Sequence, residues 1–388
     1  MYLNQYYTEH TYSDVLVHNL SIDLPKIALD LGFGKGNLLH AAKRRWKSLN
    51  LVGVDIDERN VNDAQSQKLI HALPFDGLNP DLPNIINDRF GDIDLLVSNP
   101  PYFSSDFDKN SKQILNSIGL LDCVSKNLKK VPAELIFLAQ NLRLLSQNGE
   151  LGIIVPAGLI SGQRWHPVRE FLFSNYVISN VIQLPTNSFK QTDAQTFILT
   201  IKHKVDAYES TSLSHINKLK ILNVALIDAM DRADYNYYNE LSSLSNEGKL
   251  SISDFDLYRG NKSHIELSKI TNKYLHSTSM PELFTRKVLT GPPMNGAKNT
   301  QPGDILITRV GRRCLGRTLY VDKGTIPISD CIIAVRPKTS QIGEKIWEKL
   351  SSPECRKYLV NASLGVSAKY ITYKTITDYL TDHQNAIT

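Results

Sequence analysis

The residues with the clearest chemical potential are Asn99-Pro100-Pro101-Tyr102, which follow the apolar run 93–97. Each proline fixes its own φ angle and restricts the backbone of the residue before it. The side-chain oxygen of Asn99 and the carbonyl oxygen of Pro100 are therefore rigid hydrogen-bond acceptors at the end of a strand. Together they can receive both N–H groups of an exocyclic amine, while the Tyr102 ring covers a flat heterocycle. This pattern indicates a site that holds and activates an aromatic amine such as adenine N6.

A glycine-rich turn precedes this tetrapeptide in the chain. Gly32-Phe33-Gly34-Lys35-Gly36 follows the apolar run 26–31, and apolar residues recur at helical intervals after it. The pattern predicts a strand, a turn that a ligand can approach closely, and a helix. A second strand over 51–57 contains Asp55, about 20 residues beyond the turn, where a carboxylate can accept hydrogen bonds from a ribose diol.

The remaining periodicity predicts an α/β fold with a Rossmann-like, mostly parallel sheet and a second, smaller β-rich domain. Strands that alternate with helices favour such a sheet, whose ligands bind at the carboxyl ends of the strands. Periodicity is lost after residue 204, so we predict domains over 1–205 and 206–388. The expected elements are a helix over 134–145, first-domain strands over 151–156, 177–184 and 196–202, second-domain strands over 219–226, 303–311, 316–321 and 331–337, and a final helix over 342–359.

Composition narrows the class of protein. Hydrophobic residues make up 41% and charged residues 21% of the chain, which is typical of a soluble globular protein. The four cysteines include no CxxC pair, so neither a zinc site nor a disulfide framework is expected. No run is long enough to span a membrane, and the first residues are too polar for a signal peptide. We therefore expect a cytoplasmic protein with no bound metal and no membrane partner.

Charge points weakly to an anionic partner. The net charge is +5 and the pI is about 8.8, values that many proteins without nucleic-acid function share. A group of arginines in a glycine-punctuated loop is more informative, because such side chains can reach base edges or phosphates. Each alone is more often a phosphate contact or a solvated side chain than a base reader. The candidate DNA-binding residues are Lys298, Arg309, Arg312, Arg313 and Arg317.

The ordered motifs resemble those of the gamma class of amino-methylating DNA adenine-N6 methyltransferases. The matching segments are 5–8, 30–36, Asp55, 99–102, Leu184-Pro185, Phe189 and Thr196. This resemblance implies an S-adenosylmethionine-dependent, site-specific DNA methyltransferase that acts on adenine N6 of a flipped-out base. It also implies a place in DNA methylation and in a restriction–modification system.

The resemblance also assigns roles to individual residues. Asn99, Pro100 and Tyr102 are the implied catalytic residues, and Tyr102 and Phe189 stack on the base. Phe189 can equally be an ordinary core aromatic. The implied cofactor-binding residues are Tyr7, Thr8, Asp30, Gly32, Gly34, Gly36, Asp55, Ile56 and Asn99.

One further acidic residue is expected to contact the cofactor adenine, and the sequence offers three candidates. These are Asp76, Asp88 and Asp92. We favour Asp76, because an apolar neighbour such as Phe75 can pack on the adenine ring.

The second half of the chain resembles one target-recognition domain of the specificity subunits of type I restriction–modification systems. The matching features lie at 230–235, Tyr237-Tyr238, 303–311, 328–330 and Gly365. Double-stranded DNA is the implied partner. Neither half contains a nuclease-like cluster of carboxylates and lysine, which leaves DNA cleavage to a separate restriction endonuclease.

Other functions stay open at this point. Enzymes that methylate cytosine N4, RNA adenine or a protein glutamine can carry the same tetrapeptide. A catalytically silent DNA-specificity module is a further alternative, although the intact tetrapeptide and glycine turn argue against it. The β-rich second domain favours a DNA substrate.

Overall fold

The computed structural model of the chain describes residues 10–186, 188–189, 195–205, 207–244, 248–311, 313–365 and 368–381. The chain forms two compact units that divide between Tyr235 and Asn236. This division lies beyond the boundary at 205 expected from the sequence, because the polar segment after residue 205 contains strands that continue the first sheet. No helix among the described residues is long and apolar enough to cross a membrane.

The first unit is an α/β structure, as the alternation of strands and helices predicts. Its helices are α1 (His10–His18), α2 (Asn37–Arg45), α3 (Glu58–Gln67), α4 (Leu82–Phe90), α5 (Lys109–Asn116), α6 (Ala133–Leu144), α7 (Ala157–Ser161), α8 (His166–Asn175) and α9 (Leu226–Asp231). Its strands are β1 (Ile27–Leu31), β2 (Asn50–Val54), β3 (Ile70–Leu73), β4 (Ile93–Ser98), β5 (Ser104–Asp106), β6 (Lys130–Pro132), β7 (Leu145–Pro156), β8 (Tyr176–Gln183), β9 (Thr196–His203), β10 (Ser210–His215) and β11 (Leu222–Ala225).

The large sheet has the strand order β11-β10-β8-β9-β7-β4-β1-β2-β3. Pairing is parallel from β7 through β4, β1 and β2 to β3, and antiparallel where β9 lies between β7 and β8. The sequence predicts β11 as a second-domain strand, and the structure corrects this: Leu222–Ala225 pairs antiparallel with β10 in the first sheet. Strands β5 and β6 pair antiparallel in a separate two-stranded sheet.

Strands β1 and β4 are direct neighbours, with Ala28 opposite Leu95 and Leu29 opposite Leu96. Because the two strands are parallel, the loops at their carboxyl ends leave the same edge of the sheet. The glycine turn follows β1, and the Asn-Pro-Pro-Tyr tetrapeptide follows β4. The fold therefore brings the two motifs with the clearest chemistry to one edge.

A buried carboxylate fixes the segment between α1 and β1 to the sheet. Glu150 in β7 is fully buried and accepts hydrogen bonds from the backbone N–H groups of Ser21 and Ile22, both at 2.7 Å. The Ser21 hydroxyl also donates to it, at 3.2 Å, and Lys202 Nζ lies 3.7 Å away. A buried carboxylate with this many donors is well compensated, so it connects α1 firmly to the core.

The second unit contains a β-rich core with helices in its later part. Its strands are β12 (Phe255–Arg259), β13 (Thr285–Val288), β14 (Ile305–Thr308), β15 (Thr318–Lys323) and β16 (Ile332–Pro337), in the order β12-β16-β14-β15-β13. Its helices are α10 (Tyr235–Ser242), α11 (His264–Ser268), α12 (Ser340–Leu350), α13 (Pro353–Asn361) and α14 (Tyr373–Leu380). The single helix expected over 342–359 is two helices, because Ser352 caps α13 through its hydroxyl and Pro353 occupies the first turn.

A buried ion pair holds the centre of the second sheet. Asp304 is 1% exposed and accepts two hydrogen bonds from Arg336, both at 2.8 Å. The Tyr258 hydroxyl donates to the same carboxylate at 2.5 Å, and burial raises the pKa of this phenol. The three side chains link β12 and β16 to the residue just before β14.

Candidate active site

The Asn-Pro-Pro-Tyr tetrapeptide lies directly after β4, with Pro100 buried and Asn99 and Tyr102 half-buried. The phenol of Tyr102 donates a hydrogen bond to Asn99 Oδ1 at 3.1 Å, and its oxygen lies 3.5 Å from the carbonyl oxygen of Ile154 in β7. Burial raises the pKa of Tyr102 well above its usual value, and nearby Glu134 raises it further. The phenol is therefore neutral, and the tetrapeptide is held against β7.

The glycine turn after β1 has a conformation that requires glycine. Gly32, Gly34 and Gly36 have φ angles of 79°, 54° and 73°, in the left-handed region that side chains disfavour. A Cβ atom on Gly36 would also lie 2.8 Å from the Ile70 side chain. The N–H of Gly32 donates to the Val54 carbonyl at 2.7 Å, which holds the turn beside the end of β2.

Asp55, directly after β2, is 4% exposed and holds three groups around its carboxylate. The backbone N–H groups of Gly34 and Asp57 donate to it, both at 2.8 Å, and the Asn60 amide donates at 3.1 Å. A carboxylate offers about four lone-pair positions, so one remains for a ligand hydroxyl. The next residue, Ile56, is 55% exposed, which leaves an apolar side chain open at the same edge.

Asp30 in β1 is an under-satisfied buried acid beside the turn. It is 2% exposed, and its Oδ1 has no hydrogen-bond partner among the described residues. Burial raises the pKa of this carboxyl well above its usual value, and Asp55 raises it further. An orphaned acceptor next to a glycine turn fits a site that is completed by a ligand with several hydrogen-bond donors.

The three candidate acids for the cofactor adenine occupy different places. Asp76 is exposed and follows β3 at the carboxyl edge, where its carboxylate accepts a hydrogen bond from the Leu78 N–H at 2.9 Å. Asp88 lies on α4, and Asp92 precedes β4 at the opposite end of that strand. Only Asp76 of the three therefore lies in a loop at the edge that carries the glycine turn.

Three of the expected contact residues either lie outside the described residues or are buried in the core. Tyr7 and Thr8 lie outside the described residues. Phe189 is 2% exposed in the core of the first unit, with its ring 5.9 Å from that of Tyr12. This packing agrees with the core-aromatic alternative. Stacking on a base would require the Phe189 ring to leave the core.

Glu134, in the first turn of α6, lies near the tetrapeptide and is not among the site residues expected from the sequence. It is 8% exposed, and burial raises its pKa to about 7. A backbone hydrogen bond holds the start of α6 near the tetrapeptide. The N–H of Ala133 donates at 2.9 Å to the carbonyl of Phe103, which directly follows Tyr102. The available signal was an acid at the start of a helix whose other residues are mostly apolar.

The candidate DNA-binding residues of the second unit differ in the exposure and the hydrogen bonding of their side chains. Arg317 donates to the Met280 carbonyl at 3.1 Å and to Glu282 at 2.8 Å, so it stabilises a loop. Arg309 donates through Nε to the Asp330 carbonyl at 2.9 Å and is half-buried. Arg313 is exposed.

The segment 328–330 brings two of these candidates together. The N–H of Ile328 donates to the carbonyl of Lys298 at 3.0 Å, and Arg309 contacts Asp330 as described above. The Lys298 side chain is exposed. Arg312 lies outside the described residues.

The sequence over residues 3–270 matches the family model described as N-6 DNA Methylase. This match covers more than half of the chain and includes both the glycine turn and the tetrapeptide. The chain belongs to the N-6 DNA methylase family. Members of this family are methyltransferases, and the names of some relatives, such as a type I restriction enzyme methylase subunit, place those relatives in restriction–modification systems.

Individual relatives match parts of this chain. The type I restriction enzyme MpnII methylase subunit of Mycoplasma pneumoniae is 24% identical over 201 residues, which is 46% of this chain and 36% of the relative. The type II methyltransferase M.AccI of Acinetobacter calcoaceticus is 26% identical over 208 residues, which is 51% of this chain and 37% of the relative. The matched segment is thus well under half the length of either relative.

A solved structure resembles this chain over almost its whole length. The type IIG restriction endonuclease BpuSI covers 98% of this chain and 57% of its own, with a TM-score of 0.53 and 14% sequence identity. At this identity the likeness concerns the fold alone. It agrees with the α/β first unit and the β-rich second unit described above.

Proposed function

We propose that this methylase transfers a methyl group from S-adenosylmethionine to N6 of an adenine that is flipped out of duplex DNA. The adjacency of β1 and β4 carries the proposal, because the glycine turn and the Asn-Pro-Pro-Tyr tetrapeptide follow these two neighbouring parallel strands at one edge of the sheet. Family membership supports DNA as the substrate. The resemblance to the gamma class supports adenine N6 as the acceptor.

The residues around the glycine turn fit the methyl donor. The orphaned Asp30 oxygen, the remaining acceptor position on Asp55 and the exposed Ile56 suit a molecule with an ammonium group, a ribose diol and a flat base. Asp76 would contact the base, and Tyr7 and Thr8 would contact the methionine portion. When bound, S-adenosylmethionine supplies a methyl group on a positively charged sulfur.

The tetrapeptide would hold the target amine. Asn99 Oδ1 and the Pro100 carbonyl each accept one N–H of the exocyclic amino group, which draws electron density onto a nitrogen whose lone pair is otherwise delocalised into the ring. The base must leave the helix to reach them, and unstacking costs a few kcal/mol. Stacking on Tyr102 would return about 1–3 kcal/mol.

The second unit would recognise the DNA target. Its β-rich core carries exposed cationic side chains, including Lys298 and Arg313, and Arg309 lies beside the segment 328–330. We propose that this unit is a target-recognition domain like those of type I specificity subunits. A separate restriction endonuclease would then be the partner that cleaves unmodified DNA.

The double variant Lys298→Ala/Arg313→Ala is expected to weaken DNA binding about tenfold or more. Each side chain that contacts a phosphate releases counterions, so the slope of log K against log salt concentration should fall by about 2 when both are removed. Fluorescence anisotropy with a labelled duplex over a salt series measures both quantities.

The control for this variant is Lys287→Ala/Lys345→Ala, which removes two exposed charges from the same unit. The affinity and the salt slope of this control are expected to stay closer to those of wild type. Equal changes in both double variants would mean that only overall charge matters, and the surface at 298–313 would lose its assigned role.

Incubation of the wild-type protein with unmodified DNA and tritiated S-adenosylmethionine, followed by nucleoside analysis, tests the proposed function. Label is expected in N6-methyladenine. Label found only in cytosine, or only with RNA or protein as the acceptor, would mean that adenine in DNA is not the substrate. Specific DNA binding without any transfer would instead indicate a silent specificity module.

A further inference from the structure

Glu134 is a buried acid without a counter-charge among the residues that the structure describes. It is 8% exposed, forms no ion pair with a described residue, and accepts no hydrogen bond from any other described residue. Most buried carboxylates are compensated by several donors, as Glu150 is in this same unit. A buried carboxylate without compensating groups destabilises the folded protein. We therefore expect Glu134 to have a function that requires a bound ligand.

Glu134 lies on a face of α6 that borders both halves of the candidate active site. On one side it affects the phenol of Tyr102, in the tetrapeptide. On the other side Phe137, one helical turn later and on the same face of α6, packs against the glycine turn: a Cβ on Gly32 would lie 3.8 Å from its ring. A methyl group that passes from the glycine turn to the tetrapeptide must cross the space that this face of α6 borders.

We propose that the Glu134 carboxylate is the counter-charge for the sulfonium of the methyl donor, and that it makes the site prefer the cationic donor to the neutral product. This inference rests on the proposed function, because it takes S-adenosylmethionine as the donor. The sulfur of S-adenosylmethionine carries a permanent positive charge, and that of S-adenosylhomocysteine carries none. All other polar groups of the two molecules are the same, so only a charge near the sulfur can separate their affinities electrostatically.

Isothermal titration calorimetry without DNA measures this preference directly. The dissociation constants of S-adenosylmethionine and S-adenosylhomocysteine are determined for wild type and Glu134→Gln at about pH 8, where the carboxylate is ionised. The preference for the cationic molecule is expected to fall about tenfold or more in Glu134→Gln, because at an effective dielectric constant near 20 one charge pair supplies a tenfold effect out to a separation of about 12 Å. The matched control is Glu170→Gln, an exposed acid on α8 whose loss should leave the ratio unchanged.

Thermal unfolding of the variants checks that the folded state is intact. The raised pKa of Glu134 means that the folded protein loses stability as pH rises from the usual glutamate pKa to about 7. Glu134→Gln removes that loss, so its melting temperature at pH 8 should equal or exceed that of wild type.

The outcomes separate the two proposals. An equal loss of affinity for both molecules would mean that Glu134 contacts a group they share, such as the ammonium, and would overturn the inference while the proposed function stands. An unchanged ratio with unchanged affinities would overturn it as well. If wild type binds neither molecule, the donor site itself is wrong and both proposals fail.

Discussion

Replacement of Asn99 with alanine is expected to lower methyl transfer to adenine by about 10²–10³-fold, the usual loss when one preorganised hydrogen-bonding group of an active site is removed. Asn99 Oδ1 is one of two acceptors at the carboxyl end of β4, and it already accepts the Tyr102 phenol at 3.1 Å. The Pro100 carbonyl remains in the variant but can accept only one N–H of the amine. The nitrogen lone pair should then stay delocalised in the purine ring.

Single-turnover assays with tritiated S-adenosylmethionine measure the loss, and calorimetry measures donor affinity in parallel. We expect the rate to fall far more than the affinity, because Asn99 acts on the target amine. Asn99→Asp keeps one acceptor oxygen and should retain more activity than Asn99→Ala. The control Asn84→Ala alters an exposed residue on α4 and should behave as wild type. A rate for Asn99→Ala within about threefold of wild type would exclude Asn99 from the chemistry.

The sheet and the edge that carries the site were predictable from local sequence. The apolar runs before Gly32 and before Asn99 mark two buried strands, and the structure confirms an α/β unit in which those strands are neighbours. Parallel strands place their following loops at one edge whatever the detail of the intervening chain. The adjacency of the two motifs thus follows from topology, which periodicity can indicate.

Long-range partners were not predictable in this way. The segment that forms β10 and β11 is polar and short, and it is a strand pair because β8 offers it an edge. The Arg317 side chain looked available for DNA, yet it pairs with Glu282, far from it in the sequence. In the sequence Glu134 is an ordinary acid at the start of a helix. Only its burial near Tyr102 in the folded chain distinguishes it from other acids at such positions. Each of these features depends on which residues meet in the folded chain.

The Arg169→Met substitution is expected to destabilise the first unit by about 3–5 kcal/mol, because several buried carbonyls lose their donor and each group left unsatisfied costs about 1–3 kcal/mol. Arg169 on α8 is 2% exposed. Its guanidinium donates to four backbone carbonyls, those of Leu159 (3.2 Å), Gly162 (2.8 Å), Met230 (3.0 Å) and Asp231 (2.6 Å). Methionine fills much of the volume but leaves these carbonyls without their donor.

Urea unfolding followed by circular dichroism measures the effect, and Arg164→Met is its control. Arg164 is an exposed arginine close to α8 whose guanidinium lies 5.0 Å from the Trp165 ring centroid, a contact worth about 0.5–1 kcal/mol at an exposed site. The two variants lose the same charge, so a larger loss for Arg169→Met isolates the buried hydrogen bonds. Equal losses would mean that water replaces the guanidinium at these carbonyls, and that Arg169 does not hold α8, α9 and the loop after α7 together.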